Sequence, residues 1–424
     1  MKLYNETVRS TISELDSSRP FLLSSPTNGI ESEKEGGVAQ NPGDELFGDI
    51  HFYNEHANLW ADNTYMVPRC SSEYGVQSFP RKETMLKWLN GTDWGYTSEQ
   101  MKRRQHHPGG YYAQLAMIFS HFKIPSECGG VIDAECKYVK KPAFMDRFVY
   151  LSQFHQAITY QVQTEHYRRW RGRLDQYGKG HTMCALYWQL NDLWAAPTWS
   201  TIDYELSWKP AHYFARRFFA PVILSMYLSE TRLLQMFVVS DLVEPIFNAT
   251  VVLEMFSWFD SFTPIYSVNK TITIPPEIST EIVMDQATKH MLRDKNSATY
   301  VLRGKILSRN GAQIGYDAVY LPDKLFKVAE ENFGSAWVEK LKKINDSSYE
   351  LEIRAEKIAP LVYMELPLGL YGWFSDNAFM MTEPRRTVTL TLLRIPTFQL
   401  SKQDIAICSL RNCGMLNNAT FGSN

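Results

Sequence analysis

The chain has no surplus of either charge: 44 Lys and Arg stand against 46 Asp and Glu, a formal net charge of −2. Nothing global attracts polyanions. The basic runs Lys102-Arg103-Arg104 and Arg168-Arg169 with Arg171 and Arg173 read as solvated helix ends favoured by the macrodipole, not as a nucleic-acid site. Long apolar runs are missing too. The most hydrophobic window, Phe218 to Leu228, is broken by Pro221 and falls short of the roughly 18 residues that suggest a spanning helix. The start, Met1 to Thr7, has no apolar run of a signal peptide. Short repeats and low-complexity segments are lacking. His106 and His107 are adjacent, but no third ligand follows at a helpful spacing, so neither a metal nor another cofactor is expected.

What is present is a globular composition, 44% hydrophobic over 424 residues, with room for two or three domains. Sequons for N-glycans occur at Asn5, Asn90, Asn248, Asn269, Asn345 and Asn418. Their spread along the chain implies a secretory-pathway history, which the start of the chain contradicts; a missing front portion reconciles the two. Of the six cysteines, Cys128 with Cys136 and Cys408 with Cys413 are close enough for local loops. Cys184 lies in an apolar run and reads as a buried free thiol.

Periodicity divides the chain. Val8, Ile12 and Leu15 mark a helical face; strands are expected at Arg19–Ser24, Gly48–Tyr53, a third ending in Ser71-Ser72-Glu73, and Met183–Trp188. The last of these is a continuous apolar run suited to a strand buried on both faces. A long helix from about Asp146 to Arg169 and a closing helix around His212–Phe219 complete four strand-then-helix units, half of the eight that a parallel barrel needs. After Pro221 the period becomes two, as in Tyr300–Leu307, Tyr349–Arg354 and Thr387–Leu392. The fold class expected is α/β plus all-β: a half barrel at 1–220, then two immunoglobulin-like sandwiches at 221–343 and 344–424, with the charged segment Glu339–Asn345 as their joint.

Chemistry concentrates in Ser71-Ser72-Glu73-Tyr74-Gly75, a carboxylate at a strand end among small and aromatic residues, the setting of a glycosidase nucleophile. Together with Asp16–Pro20, Ser24–Gly29, Gly48–Tyr53, Arg104–Gly110, Tyr187–Asp192 and Phe374–Asn377, it resembles the β-mannosidases of glycoside hydrolase family 2, the lysosomal animal enzymes most. The resemblance runs over nearly the whole chain and implies the C-terminal half of such an enzyme: strands five to eight of a (β/α)8 TIM barrel and the last two sandwiches. It implies a lysosomal hydrolase that removes terminal β-linked mannose in glycoprotein breakdown by the retaining route, with no cofactor, nucleic acid or membrane insertion.

By the same resemblance Glu73 is the nucleophile and Trp188 the floor of the sugar site. Tyr53 either bonds the nucleophile or is a core tyrosine; His51 is either a subsite ligand or a packed barrel histidine. Asn191, Asp192 and Trp194 follow on the loop as pocket candidates, and His106 and His107 either flank the site or cap a helix. The family's acid/base is a glutamate preceded by asparagine on strand four, expected upstream of this chain. Asn54-Glu55 and Asn5-Glu6 offer the same dipeptide at the wrong places and read as coincidences. The chain by itself is therefore expected not to hydrolyse mannosides. The alternative is a non-catalytic carbohydrate-binding or interaction protein derived from the family.

Overall fold

The computed structural model describes residues 2–414, so the sequon at Asn418 lies outside the described residues. Asn90, Asn248, Asn269 and Asn345 are exposed and Asn5 is partly so. The first helical stretch, Leu3–Leu15, leaves Leu3, Ile12 and Leu15 exposed.

Strands β1 (Ile50–Phe52) and β2 (Ser71–Tyr74) pair in parallel, with His51 opposite Glu73. Residues 183–188 run along the other edge of β2: Met183 N bonds Arg69 O at 2.7 Å, Ser71 N bonds Cys184 O at 3.1 Å, Leu186 N bonds Ser71 O at 3.0 Å, and Trp188 N bonds Tyr74 O at 2.9 Å. That even spacing is the pattern of a parallel pair, although only Ser71 and Ala185 form a regular bridge. The expectation of a strand buried on both faces is corrected: Met183 is 70% and Leu186 54% exposed, and being an odd number of residues apart they leave both faces of the segment partly uncovered among the described residues. The strand expected at Arg19–Ser24 does not form. Pro20 and Pro26 remove amide donors there, and the chain joins its neighbour only at Thr27, in a bridge to Asp49.

The register of β2 against 183–188 also corrects the reading of Cys184. Its Cα lies 4.6 Å from that of Cys70, within bridging range, and the two form a disulfide. Cys128–Cys136 and Cys408–Cys413 close the two short loops.

The long helix is α1, Pro142–Arg169, with proline in its first turn, where a missing amide costs nothing. Phe144, Phe148, Leu151, Phe154 and Ile158 are buried along it, each contributing on the order of 1.5–3 kcal/mol of apolar burial. Its polar residues hold the segment after β2: Gln153 Nε2 donates to Phe79 O at 2.9 Å, Gln156 Nε2 to Val76 O at 2.9 Å, and Phe79 N to Ser152 Oγ at 3.1 Å. The basic end of α1 is consumed internally. Arg168 pairs with Asp241 at 2.7 Å, and Arg169 pairs with Asp62 and donates to Ser225 Oγ. Helix α2, Pro210–Phe218, packs against α1 and leads into the sandwiches.

The first sandwich comprises β3 (Val222–Leu228), β4 (Leu234–Ser240), β5 (Ile246–Ser257), β6 (Tyr266–Ile274), β7 (Ser279–Glu281), β8 (Tyr300–Leu307) and β9 (Gln313–Tyr320). Its sheets run β3-β4-β7 and β6-β5-β8-β9, around a core that includes Leu224, Val238, Leu253 and Leu302. The second comprises β10 (Ala336–Asn345), β11 (Ser348–Ala355), β12 (Ala359–Glu365), β13 (Gly372–Phe374), β14 (Phe379–Met381), β15 (Arg385–Leu392) and β16 (Ala406–Cys408), in sheets β10-β11-β15-β13 and β14-β12-β16. The expected joint at Glu339–Asn345 is instead most of β10. Buried Ala336 and Val338 flank outward Trp337, and beyond a register shift at Val338/Lys340 the charged residues form the exposed end of a hairpin with β11.

Candidate active site

Glu73 stands near the end of β2, opposite His51, and Tyr53 follows β1 directly. Tyr53 Oη donates to Glu73 Oε2 at 2.9 Å, and His51 Nδ1 lies 3.5 Å from the same oxygen. Burial, and next the carboxylate it serves, hold the Tyr53 phenol well above its ordinary pKa, so it remains a proton donor to that oxygen. Behind His51 a second carboxylate orders the base of the site. Asp49 accepts from Ser25 Oγ at 2.6 Å, from Thr27 N at 2.8 Å and from Ser72 Oγ, while Ser25 Oγ lies 2.9 Å from His51 Nε2.

Tyr53 and Glu73 face a cleft of about 860 Å³ whose walls also include Glu55, Gly75, His107, Trp188 and Trp199. Tyr160 of α1 fixes both tryptophans from behind, donating to Trp188 O at 2.8 Å and Trp199 O at 2.7 Å. Gly75 is the point of contact. A Cβ there would lie 2.5 Å from Trp188 O and 2.6 Å from Tyr160 Oη, so only hydrogen fits. Chemically, the cleft offers an ionisable carboxylate with a donor bound to it, and indole rings that suit the C–H face of a pyranose.

The structure thus brings Glu73, Tyr53, His51, Trp188 and His107 together. Asn191 is outside this group: its amide donates to Asp192 O at 3.2 Å, on a loop that bridges to Ile202 away from the cleft. Asp192 is buried, accepting from Thr198 Oγ1. Trp194 and His106 pack on each other, their rings 4.5 Å apart, with the Arg104 guanidinium 5.8 Å from the Trp194 ring. Two lining residues escaped the sequence reading. Trp199 sits in Thr198-Trp199-Ser200, a lone indole among hydroxyls, a signal that was readable. Glu55, set aside as a coincidence, lies in the same cleft as Glu73 and pairs with His107 Nε2 at 2.9 Å. Among the described residues no group of three or more His, Cys, Asp or Glu could hold a metal, and no helix is long and apolar enough to cross a membrane.

Comparison with known proteins gives this arrangement its context. Residues 233–325 match the Mannosidase Ig/CBM-like domain family and residues 337–413 the Ig-fold domain family Ig_mannosidase. A β-D-mannosidase structure from Dictyoglomus thermophilum superposes with a TM-score of 0.75 at 20% identity, over 96% of this chain and 44% of that one. The superposition shows a shared fold, and the two domain matches are to immunoglobulin-type modules of mannosidases. A probable β-mannosidase of Caenorhabditis elegans is 45% identical over 93% of this chain and 44% of its own length. The β-mannosidase of Capra hircus is 33% identical over 91% of this chain and 42% of its own. By sequence the chain is similar to β-mannosidases over most of its length, and it spans under half the length of the curated relatives it matches.

Proposed function

We propose that the chain carries the nucleophile side of a retaining β-mannosidase site, acting on terminal non-reducing β-D-mannose of oligosaccharides from glycoproteins. The observation that supports it is the Tyr53–Glu73 hydrogen bond of 2.9 Å at the base of a cleft walled by Trp188 and Trp199. In this reading Glu73 attacks the anomeric carbon, Tyr53 holds its lone pair in line, and the indoles seat the ring. Departure of a sugar aglycone needs a proton from a second carboxyl about 5–5.5 Å from the first in the retaining geometry. We assign that donor to the part of the relatives' length this chain does not span, and leave Glu55, paired with His107, outside that role. Three parallel hydrogen-bonded segments in chain order, backed by α1, support three of the four strands of the half barrel. The exposed sequons support a lysosomal destination.

The test is a chimera in which this chain replaces the matching stretch of the C. elegans relative. It hydrolyses aryl β-mannosides, a 2-fluoro-mannosyl fluoride labels Glu73, and Glu73→Gln abolishes both. The 424-residue chain alone, freed of host enzymes, turns over mannobiose about 10²–10⁴-fold more slowly for want of the proton donor. Ordinary turnover by the bare chain, or a label on another residue, rejects the assignment.

A further inference from the structure

A second cavity, of about 340 Å³, opens where α1, α2, the connection from β1 to β2 and the two sandwiches meet, and it shares no lining residue with the first cleft. Its size is within the ~300–1,000 Å³ of small-molecule sites. Three guanidiniums line it, those of Arg169, Arg217 and Arg386, against the carboxyls of Asp62, Glu165, Asp317 and Asp376. They are already matched to one another: Arg217 to Asp376 at 2.7 Å, Arg386 to Asp376 at 3.1 Å, Arg169 to Asp62. Glu165 is bonded to Gln161 Nε2 at 2.8 Å and Ser225 Oγ at 2.6 Å, and burial pushes its carboxyl towards the neutral form. Such walls match every guanidinium with a carboxylate. They still leave fixed donors and acceptors with unused capacity. Trp60 Nε1 and Arg169 Nε are both buried without a hydrogen-bond partner, and Arg169 is 2% exposed. Buried polar atoms in that state are uncommon in folded proteins.

The ring surface lies on the opposite wall. Tyr316 of β9, 36% exposed, stands beside Gln313 and Asp317, which are joined at 2.9 Å. Strand β9 is the outer strand of its sheet and belongs to the module matched by the CBM-like family. An aromatic face next to neutralised hydrogen-bonding pairs suits a ligand with many hydroxyls, an apolar face and no charge. We propose that this junction cavity is a second carbohydrate site, taking a neutral hexopyranose unit through Tyr316, Gln313 and the paired charges behind them. The assignment stands independently of the role given to Glu73.

The experiment uses the full 424-residue chain carrying Trp188→Ala, which removes the floor of the first cleft, and free D-mannose as probe in saturation-transfer NMR and calorimetric titration. Binding persists in this background and weakens at least tenfold on adding either Tyr316→Ala or Gln313→Ala, with circular dichroism and melting temperature unchanged. Two separate surface substitutions guard against one of them disturbing the fold. The proposal is overturned if Trp188→Ala alone removes all mannose binding, or if neither β9 substitution alters what remains.

Discussion

Tyr53 donates its hydroxyl to Glu73 at 2.9 Å, across two strands whose register sets His51 opposite that glutamate. The bond is made to the oxygen that also faces His51, and in the proposed reading the other oxygen is the one that attacks. A hydrogen bond to a charged group is worth about 1.5–3 kcal/mol, or about 10- to 100-fold in rate if it persists into the transition state. Tyr53→Phe in the chimera is therefore expected to lower kcat/KM for an aryl β-mannoside by about that factor, with the melting temperature little changed. A loss of less than twofold would show that Tyr53 does not serve the nucleophile.

How much of this was readable before folding depends on whether the signal was local. Tyr300–Leu307 alternates on its own and became β8 with the same limits, and the apolar stripe of Asp146–Arg169 sits inside α1. Arg19–Ser24 has the composition of a strand, but Pro20 and Pro26 deny it amides, which an apolar count does not weigh. In β10 the run of lysines masked an alternation that the partner strand β11 makes plain. The same division holds at the site. Glu73, Tyr53 and Trp188 are marked by their own segments, whereas Trp199 and Glu55 enter the cleft only because Tyr160 and His107, distant in sequence, hold them there. Asn191 is not among the residues lining the cleft: its loop turns to pair with Ile202, a contact with no local signature.

Gly75 makes the coupling between α1 and the cleft testable. A methyl group added there meets the carbonyl of Trp188 at 2.5 Å and the hydroxyl of Tyr160 at 2.6 Å, closer than real Cβ contacts come. Overpacking of this kind costs about 1–3 kcal/mol. Gly75→Ala should lower the unfolding free energy by that order and weaken binding of D-mannose in the first cleft. Tyr160→Phe removes one of the two clashing atoms but strands the carbonyl of Trp188, while that of Trp199 keeps Gln189 N, so the double variant should be less destabilised than the sum of the singles. Additivity in urea denaturation would show that Tyr160 and Gly75 do not share this contact.

The Cys70–Cys184 bond ties the strand bearing Glu73 to the segment bearing Trp188, across a sequence separation of 114. A cross-link closing so long a loop limits the unfolded chain, and removing a native one typically costs about 2–5 kcal/mol. Cys70→Ala with Cys184→Ala is expected to destabilise by that order and to weaken sugar binding, since the neighbouring strands lose their covalent register. Cys128→Ala with Cys136→Ala, which opens a separation of only 8, should cost less. Equal losses from the two pairs, measured by denaturant unfolding, would contradict the loop-length argument.

A buried histidine sets an acid limit on stability. His121 is 1% exposed, with Nε2 2.8 Å from Asn58 Oδ1 and Nδ1 2.8 Å from Ser120 Oγ, and burial pulls its pKa down to about 4. The carbonyl of Met117 opposes that shift and Lys324 adds to it, but loss of hydration dominates. His155, whose ring lies 5.1 Å away, is also held well below its ordinary value, chiefly by burial and then by His121. In the unfolded chain an imidazole titrates near 6.5. Between about pH 6.5 and pH 4 the unfolded state therefore binds a proton that folded His121 refuses, and stability falls as pH falls through that window. The ceiling for this one group is about 3 kcal/mol, on the order of 1.4 kcal/mol per pH unit. His121→Gln keeps a side chain able to donate to Asn58 and cannot charge. Urea denaturation of both proteins at pH 6.5 and pH 4 should show the parent losing about 1–3 kcal/mol more than the variant over this interval, other titrating groups cancelling in the difference. If the two lose the same amount, His121 already carries its proton in the folded state, and the seal that α1 and the residues around Trp60 form over it is looser than the structure shows.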